Sequence, residues 1–479
     1  MATAGSAIGL GNIWRFPFMA GEHGGGAFIV AYIICSLFIA LPCFICESLI
    51  GRRGRGSAYS SMQVLAPGSG WKYMGAVTVF ASFVLVSFYS VVGGWSLDFL
   101  GRALTGHLAQ GRPDEATAIF GSMASSPAES VLMDLAFLAA TSLIVLGGVK
   151  KGIERFTKIT IPLLFVLMAA MVVFSVSLPG SGEGVKYLLK PDLSKLGASG
   201  WAYALGQAFF SMSLGVGTIL VYSSFMKKDH GIMSVGVWTA VSDTAFALIA
   251  GFAIMPAVFS AGLEPGAGPS LVYETLPYIF ARMGADAPVL GYIVTVAFFL
   301  AILVAALTSS ISILEVCVEH LVERRGCSRL AAVAAFFVPA ALLGVPCALS
   351  FGVLGDFKIF GLTVFDFCDN LTSNYLMTLG ALAFALFVGW RMKKADVRDE
   401  FTNGSTLKAS GKLFGAVYFL IRWIIPPVGG RVDGGFRYGF RPDCRLCHNA
   451  RSVFCRAGAG GRAVARVRDA AVYFRPYGC

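Results

Sequence analysis

Apolar runs separated by short polar connections recur along the whole chain, and each is about 20 residues long, enough to cross roughly 30 Å of hydrocarbon as a helix. About eleven such spans are expected, over 2–22, 26–50, 72–100, 131–148, 156–178, 201–225, 232–261, 289–321, 329–350, 359–390 and 411–428. The pattern predicts an all-α integral membrane protein. Composition agrees, since 56% hydrophobic and 14% charged residues exclude an ordinary soluble domain.

Two of the runs are interrupted. Gly5-Ser6-Ala7-Ile8-Gly9-Leu10-Gly11-Asn12-Ile13-Trp14-Arg15-Phe16-Pro17 sets glycines, an asparagine and an arginine inside an apolar stretch, and Gly206 to Gly217 sets small residues and glycines inside another. An unpaired backbone amide costs several kcal/mol in hydrocarbon, so a broken helix survives there only where it lines a cavity or holds an ion. A lone Gly-x-Gly would be explained by close helix packing. Two breaks, one opening each half, instead point to a duplicated five-span unit in opposite orientations, 1–178 and 201–390, followed by a partial eleventh helix at 411–428. The first and sixth helices would be discontinuous, at 9–12 and 212–216. Half-helix amino ends could then face a carboxylate and exposed carbonyls a cation, the arrangement of a transporter.

Charge fixes the orientation. Arg52, Arg53 and Arg55; Lys150, Lys151 and Arg155; Lys227 and Lys228; Arg324, Arg325 and Arg329; and Lys393, Lys394 and Arg398 cluster in alternate connections. The positive-inside bias places these connections, and the amino terminus, in the cytoplasm of a cell whose inner (plasma) membrane holds the protein. Topology determination explains the clusters better than lipid-head recognition. The first stretch carries Arg15 and Glu22 and lacks a basic leader, so no cleavable signal peptide is expected. Asp243, about a dozen residues beyond Lys228 at roughly 1.5 Å each, lies near mid-membrane, where a carboxylate marks a pathway or a counter-ion.

The run Gly5 to Pro17, with Gly24-Gly25-Gly26-Ala27-Phe28, Gly206 to Tyr222, Asp243 to Pro256, Leu307-Thr308-Ser309-Ser310-Ile311 and Asp369-Asn370-Leu371-Thr372-Ser373, closely resembles the neurotransmitter:sodium symporters, above all their bacterial amino-acid carriers. The resemblance spans about 1–428. It implies two sodium ions, the first on the Ala7 carbonyl, Asn12, Ser211, Asp243 and a substrate carboxylate oxygen. The second would lie on the carbonyls of Gly5, Ile8 and Ala305 with the hydroxyls of Thr308 and Ser309. It implies a substrate carboxylate at the amides of Leu10 and Gly11 and the Tyr89 hydroxyl, and an ammonium at the carbonyls of Ala7, Phe210 and Ser213. Leu85, Tyr89, Phe210, Val216, Ser309 and Ile313 would surround the side chain. That lining carries no charge, so a neutral, hydrophobic or aromatic amino acid is expected. Gly9 stands where amine carriers of the family place an aspartate, and acidic bacterial sites such as Asp243 go with chloride independence.

By the same resemblance Arg15 and Asp369 would close the outer vestibule, Phe210 and Tyr89 form a thin lid, and Glu323 act as the cytoplasmic gate. Glu47 would bond near the unwound first helix, and Asp366 would cap the tenth span or face water. The arginine that partners Glu323 in the family precedes the first span, so the chain reads as truncated at its start. Residues 429–479 hold ten arginines, three aspartates and no lysine, which accounts for seven of the eleven net positive charges. This abrupt change reads as a disordered tail of shifted frame or fused origin.

Cys444-Arg445-Leu446-Cys447-His448 fits the haem-attachment pattern, but a glycine- and arginine-rich segment offers no pocket, and a zinc site with Cys455 forms no recognisable finger. Cys35, Cys43, Cys46, Cys317 and Cys368 read as small core residues. Neither a nucleophile–base pair nor a phosphate loop is apparent, which disfavours a hydrolase, an ATP-driven pump or any other enzyme. The expected partners are a small amino acid and the bilayer, with no nucleic acid. Sodium-coupled import is the leading reading, and a non-transporting fragment of the family or an ion channel are the alternatives.

Overall fold

The computed structural model describes residues 6–110, 113–227, 230–262, 272–273, 276–277, 279–281, 287–403 and 411–427. Of the sequence expectations, Gly5 and the tail with Cys444, Cys447, His448 and Cys455 lie outside them. The described residues are almost wholly helical, and their one β-bridge, Ile359 with Leu362, closes a turn.

Among the described residues, eight helices are long and apolar enough to cross a membrane. They are α2 (Gly26–Gly54), α3 (Lys72–Leu104), α4 (Pro127–Leu146), α5 (Glu154–Ser177), α8 (Ile232–Ser260), α9 (Pro288–Arg325), α10 (Arg329–Leu349) and α11 (Val364–Arg391). The remaining three expected spans are the two interrupted segments and a shorter helix. Residues 10–22 form α1 after a break, α6 (Gly197–Ser211) and α7 (Thr218–Ser224) flank the second break, and 411–427 form α12.

Burial sorts these helices into layers. α3 is central, with 78% of its most apolar window buried, whereas α5 and α10 bury only 33% and 28% of theirs. Val166 and Val173 on α5 and Leu330 and Leu342 on α10 point outward, as lipid-facing side chains do. Three pairs of spans of equal rank in the two halves pack on each other: the first break meets the second, α3 runs along α9, and α4 along α10. Such pairing is in keeping with an inverted repeat of five spans.

Two of the arginines expected on the cytoplasmic side are less solvated than a role in topology alone suggests. Arg52, at the foot of α2, is 1% exposed; its guanidinium binds the side chain and carbonyl of Glu400, the His230 carbonyl at 2.7 Å and Asn403 Oδ1 at 2.6 Å. Arg53 donates to Asp396 at 2.9 Å. The helix Lys394–Phe401 is thereby tied to α2 and to the connection after α7. At the start of α11, Thr363 accepts from the Asp366 amide and donates to Asp366 Oδ2 at 2.6 Å, so Asp366 belongs to a helix cap.

Candidate substrate and ion site

The first break is confined to Ile8 and Gly9, after which the chain resumes as helix at Leu10 and runs as a π-turn over Gly11–Arg15. It is shorter than the expected 9–12 because side chains replace the missing main-chain partners. Asn12 Oδ1 takes the Gly9 amide at 3.0 Å, Gln207 Nε2 donates to the Gly11 carbonyl at 3.0 Å, and Thr308 Oγ1 donates to the Ile8 carbonyl at 3.1 Å. Ser213 Oγ donates to the Ser6 carbonyl at 2.9 Å. A break so satisfied can persist away from water.

The second break covers Met212–Gly217, where Ser213, Gly215 and Gly217 take φ of 53°, 81° and 80°. Left-handed backbone costs glycine little, and Gly215 has a second reason to lack a side chain: a Cβ there would lie 1.9 Å from the Met377 carbonyl of α11. The Gly215 amide donates to Glu47 Oε1 at 2.6 Å. Glu47 therefore supports the second break rather than the first, where the resemblance had put it.

Between the breaks, four side chains from four helices converge. Asn12 Nδ2 donates to Ser211 Oγ at 2.9 Å and to Asp243 Oδ1 at 2.8 Å, Ser211 Oγ donates to the same carboxylate oxygen at 2.6 Å, and Tyr32 OH donates to Asp243 Oδ2 at 2.7 Å. All four are buried, so the Asp243 charge is compensated by dipoles. The Ser211 hydroxyl and the Asp243 carboxylate are oxygens that suit a hard cation, and the Asn12 side-chain oxygen lies next to them on the Gly9 amide. A second oxygen group forms where Thr308 Oγ1 bridges the carbonyls of Ile8 and Ala305, 3.1 and 2.8 Å away. Ser309 sits beside it against Gly9, where an added Cβ would meet its Oγ at 1.9 Å.

Beside the Asp243 cluster lies a cavity of about 20 Å³, room for one water. It is lined by Ala7, Gly11, Leu85, Tyr89, Phe210, Ser213, Ser309 and Ile313, all expected there, together with Ser211 and Met377. The Tyr89 hydroxyl is buried near the Leu10 amide and Ser309, with no hydrogen bond of good geometry among the described residues. Two expected residues are not among those that line the cavity: Leu10, whose main-chain amide nonetheless lies near the Tyr89 hydroxyl, and Val216, buried past the Gly215 turn with its carbonyl accepting from Ser82 Oγ at 2.8 Å.

The profile described as "Sodium:neurotransmitter symporter family" matches residues 1–119 and 119–410. The chain belongs to this family. An uncharacterized sodium-dependent transporter of Bacillus subtilis, YhdH, is 38% identical over 89% of this chain and 93% of its own, and the Methanocaldococcus jannaschii transporter MJ1319 is 30% identical over 85% and 83%. Among solved structures, MhsT in complex with L-phenylalanine is 41% identical, covers 90% of this chain and 96% of its own, and superposes with a TM-score of 0.84. This chain is accordingly a sodium-dependent membrane transporter with the symporters' broken-helix fold.

The expected gate residues of this symporter stand in separate settings. The Arg15 guanidinium lies 4.8 Å from the Phe210 ring centre, with Nη1 buried and unpartnered. Asp369 is near enough to act on it electrostatically, but its Oδ1 takes the Ser373 hydroxyl at 2.7 Å, and no direct ion pair joins the two among the described residues. Glu323 accepts from the Ser57 amide at 2.7 Å and from Ser60 Oγ at 2.5 Å, which ties α9 to the start of the helix Ala58–Leu65. Three site residues escaped the sequence reading. Gln207 is a polar residue within an apolar span, a signal that was available; Tyr32 and Met377 sit in apolar runs with nothing to single them out.

Proposed function

We propose that this symporter imports a neutral, hydrophobic or aromatic amino acid with two sodium ions, independently of chloride, by alternating access in the inner membrane with its amino terminus in the cytoplasm. The supporting observation is adjacency: Ser211 both bonds to Asp243 and lines the cavity, beside Ala7. A substrate carboxylate at the cavity wall would share the first cation with Asn12, Ser211 and Asp243, and each ligand lowers the cost of burying the other's charge. The Tyr89 hydroxyl, which donates no hydrogen bond among the described residues, would donate to that carboxylate. The second sodium would take the Ile8 and Ala305 carbonyls with Thr308 and Ser309, and Gly5 if its carbonyl joins them.

No charged side chain lines the cavity, which favours an apolar amino acid side chain, and the similar MhsT was solved with L-phenylalanine. Gly9 leaves no space for a carboxylate that would receive an amine without one of its own. Chloride independence is supported by Asp243, whose oxygens already satisfy Tyr32, Ser211 and Asn12, donors that would otherwise suit an anion. Arg15 and Asp369 approaching over Phe210 would close the outer side, and Glu323 would hold the inner one.

Uptake into proteoliposomes tests the reading. An inward sodium gradient should drive saturable phenylalanine accumulation that a sodium ionophore abolishes and that gluconate in place of chloride leaves unchanged. Sodium flux that needs no amino acid would instead indicate a channel.

A further inference from the structure

The cavity has room for about one water, so an amino acid enters only if part of the wall yields. Most of the wall is fixed. Ala7 and Gly11 flank the first break and Ser213 belongs to the second; Gln207 holds the Gly11 carbonyl, and Ser213 holds the carbonyl of Ser6, next to Ala7. Phe210 is pressed against Gly11, where a Cβ would meet its ring at 2.9 Å, and it carries the Arg15 guanidinium on its face. Ile313 is β-branched and stiff at χ1.

Met377 differs in both chain and side chain. Its backbone cannot retreat, because its carbonyl abuts Gly215, and Gly380 one turn on abuts the Gly215 carbonyl with 2.0 Å to an imagined Cβ. The π-turn Leu371–Leu376 ends immediately before it, and an inserted residue of this kind rotates the remainder of the helix about its axis. The Met377 side chain is 1% exposed and reaches the cavity. It is unbranched, with three rotatable bonds, the side chain best able to repack around occupants of different size.

We propose that Met377 is the adjustable wall of the pocket and sets the largest substrate side chain the symporter accepts. This rests on the amino-acid reading above. Within it, Met377 lets one pocket close around a small aliphatic side chain and open for an aromatic one, while the main chain of α11 stays pressed on the second break.

The test is equilibrium binding of valine and of tryptophan to the purified full-length protein in sodium, for the native chain and for Met377→Phe, Met377→Leu and Met377→Ala. Met377→Phe should lower tryptophan affinity relative to valine by about tenfold or more, the discrimination expected when a pocket loses the volume of a methylene or more. Met377→Leu, close in volume to methionine, keeps the packing should the larger change impair folding, and should shift the ratio the same way by a smaller factor. Met377→Ala should move the ratio toward tryptophan. An unchanged valine-to-tryptophan ratio in folded Met377→Leu and Met377→Ala would overturn the assignment while the native protein still bound both. Absence of sodium-promoted binding by the native protein would overturn the amino-acid reading itself.

Discussion

Asp243 is the residue whose charge matters most to the site. A carboxylate buried among Asn12, Ser211 and Tyr32 is costly unless a cation or several donors compensate it. Replacing it with asparagine removes the fixed charge while keeping the shape. Asp243→Asn should therefore weaken sodium activation of substrate binding by tenfold or more, about 1.4 kcal/mol or above. A sodium titration of phenylalanine binding checks this, and an unaltered half-saturation would show that Asp243 does not serve the ion. Residual uptake by the variant should also become sensitive to chloride, measured by exchange for gluconate.

Among the helices, the two breaks carry the function, and each is held by a contact specific to it. Gly215 combines a left-handed backbone with a neighbour that excludes any side chain, so Gly215→Ala should destabilise the folded protein by about 3 kcal/mol and abolish binding. Glu47→Gln keeps an acceptor for the Gly215 amide and should be tolerated, whereas Glu47→Ala leaves that amide buried and unpaired at a cost of about 1–3 kcal/mol. Thermal unfolding in detergent distinguishes the pair; equal losses would remove Glu47 from the support of the break.

The existence of both breaks was legible because clustered glycine and polar residues are rarely tolerated inside hydrocarbon-length runs unless the helix opens there. Their extent was not. The Gly9 amide is satisfied locally by Asn12, three residues on, whereas the Gly215 amide is satisfied by Glu47, 168 residues away, a contact that no local pattern marks. Val216 shows the same limit, since one positive φ at Gly215 decides which way the next side chain points. Met377 was hidden for another reason: a π-turn shifts it by one residue, and no local sequence signal marks that insertion.

For the whole molecule, the positive-inside pattern yields an expected orientation, but charge counts do not distinguish a solvated arginine from a buried one. Arg52 is buried against Glu400, and the helix Lys394–Phe401 is tied through it to the foot of α2. Removing one partner of a buried ion pair costs about 3–5 kcal/mol, so Glu400→Ala should lower the melting temperature markedly, whereas Asp399→Ala, on a more exposed partner of Arg53, should change it little. Comparable melting of both variants would show that the tie contributes nothing to stability.

The central claim is that one chamber between two broken helices joins sodium and amino acid, so that each binds better in the presence of the other. Reciprocal titration measures it directly: phenylalanine affinity as a function of sodium, and sodium affinity as a function of phenylalanine, on the same purified protein. Linkage requires the two factors to be equal and well above one. Phenylalanine binding that is the same in potassium as in sodium would contradict the account.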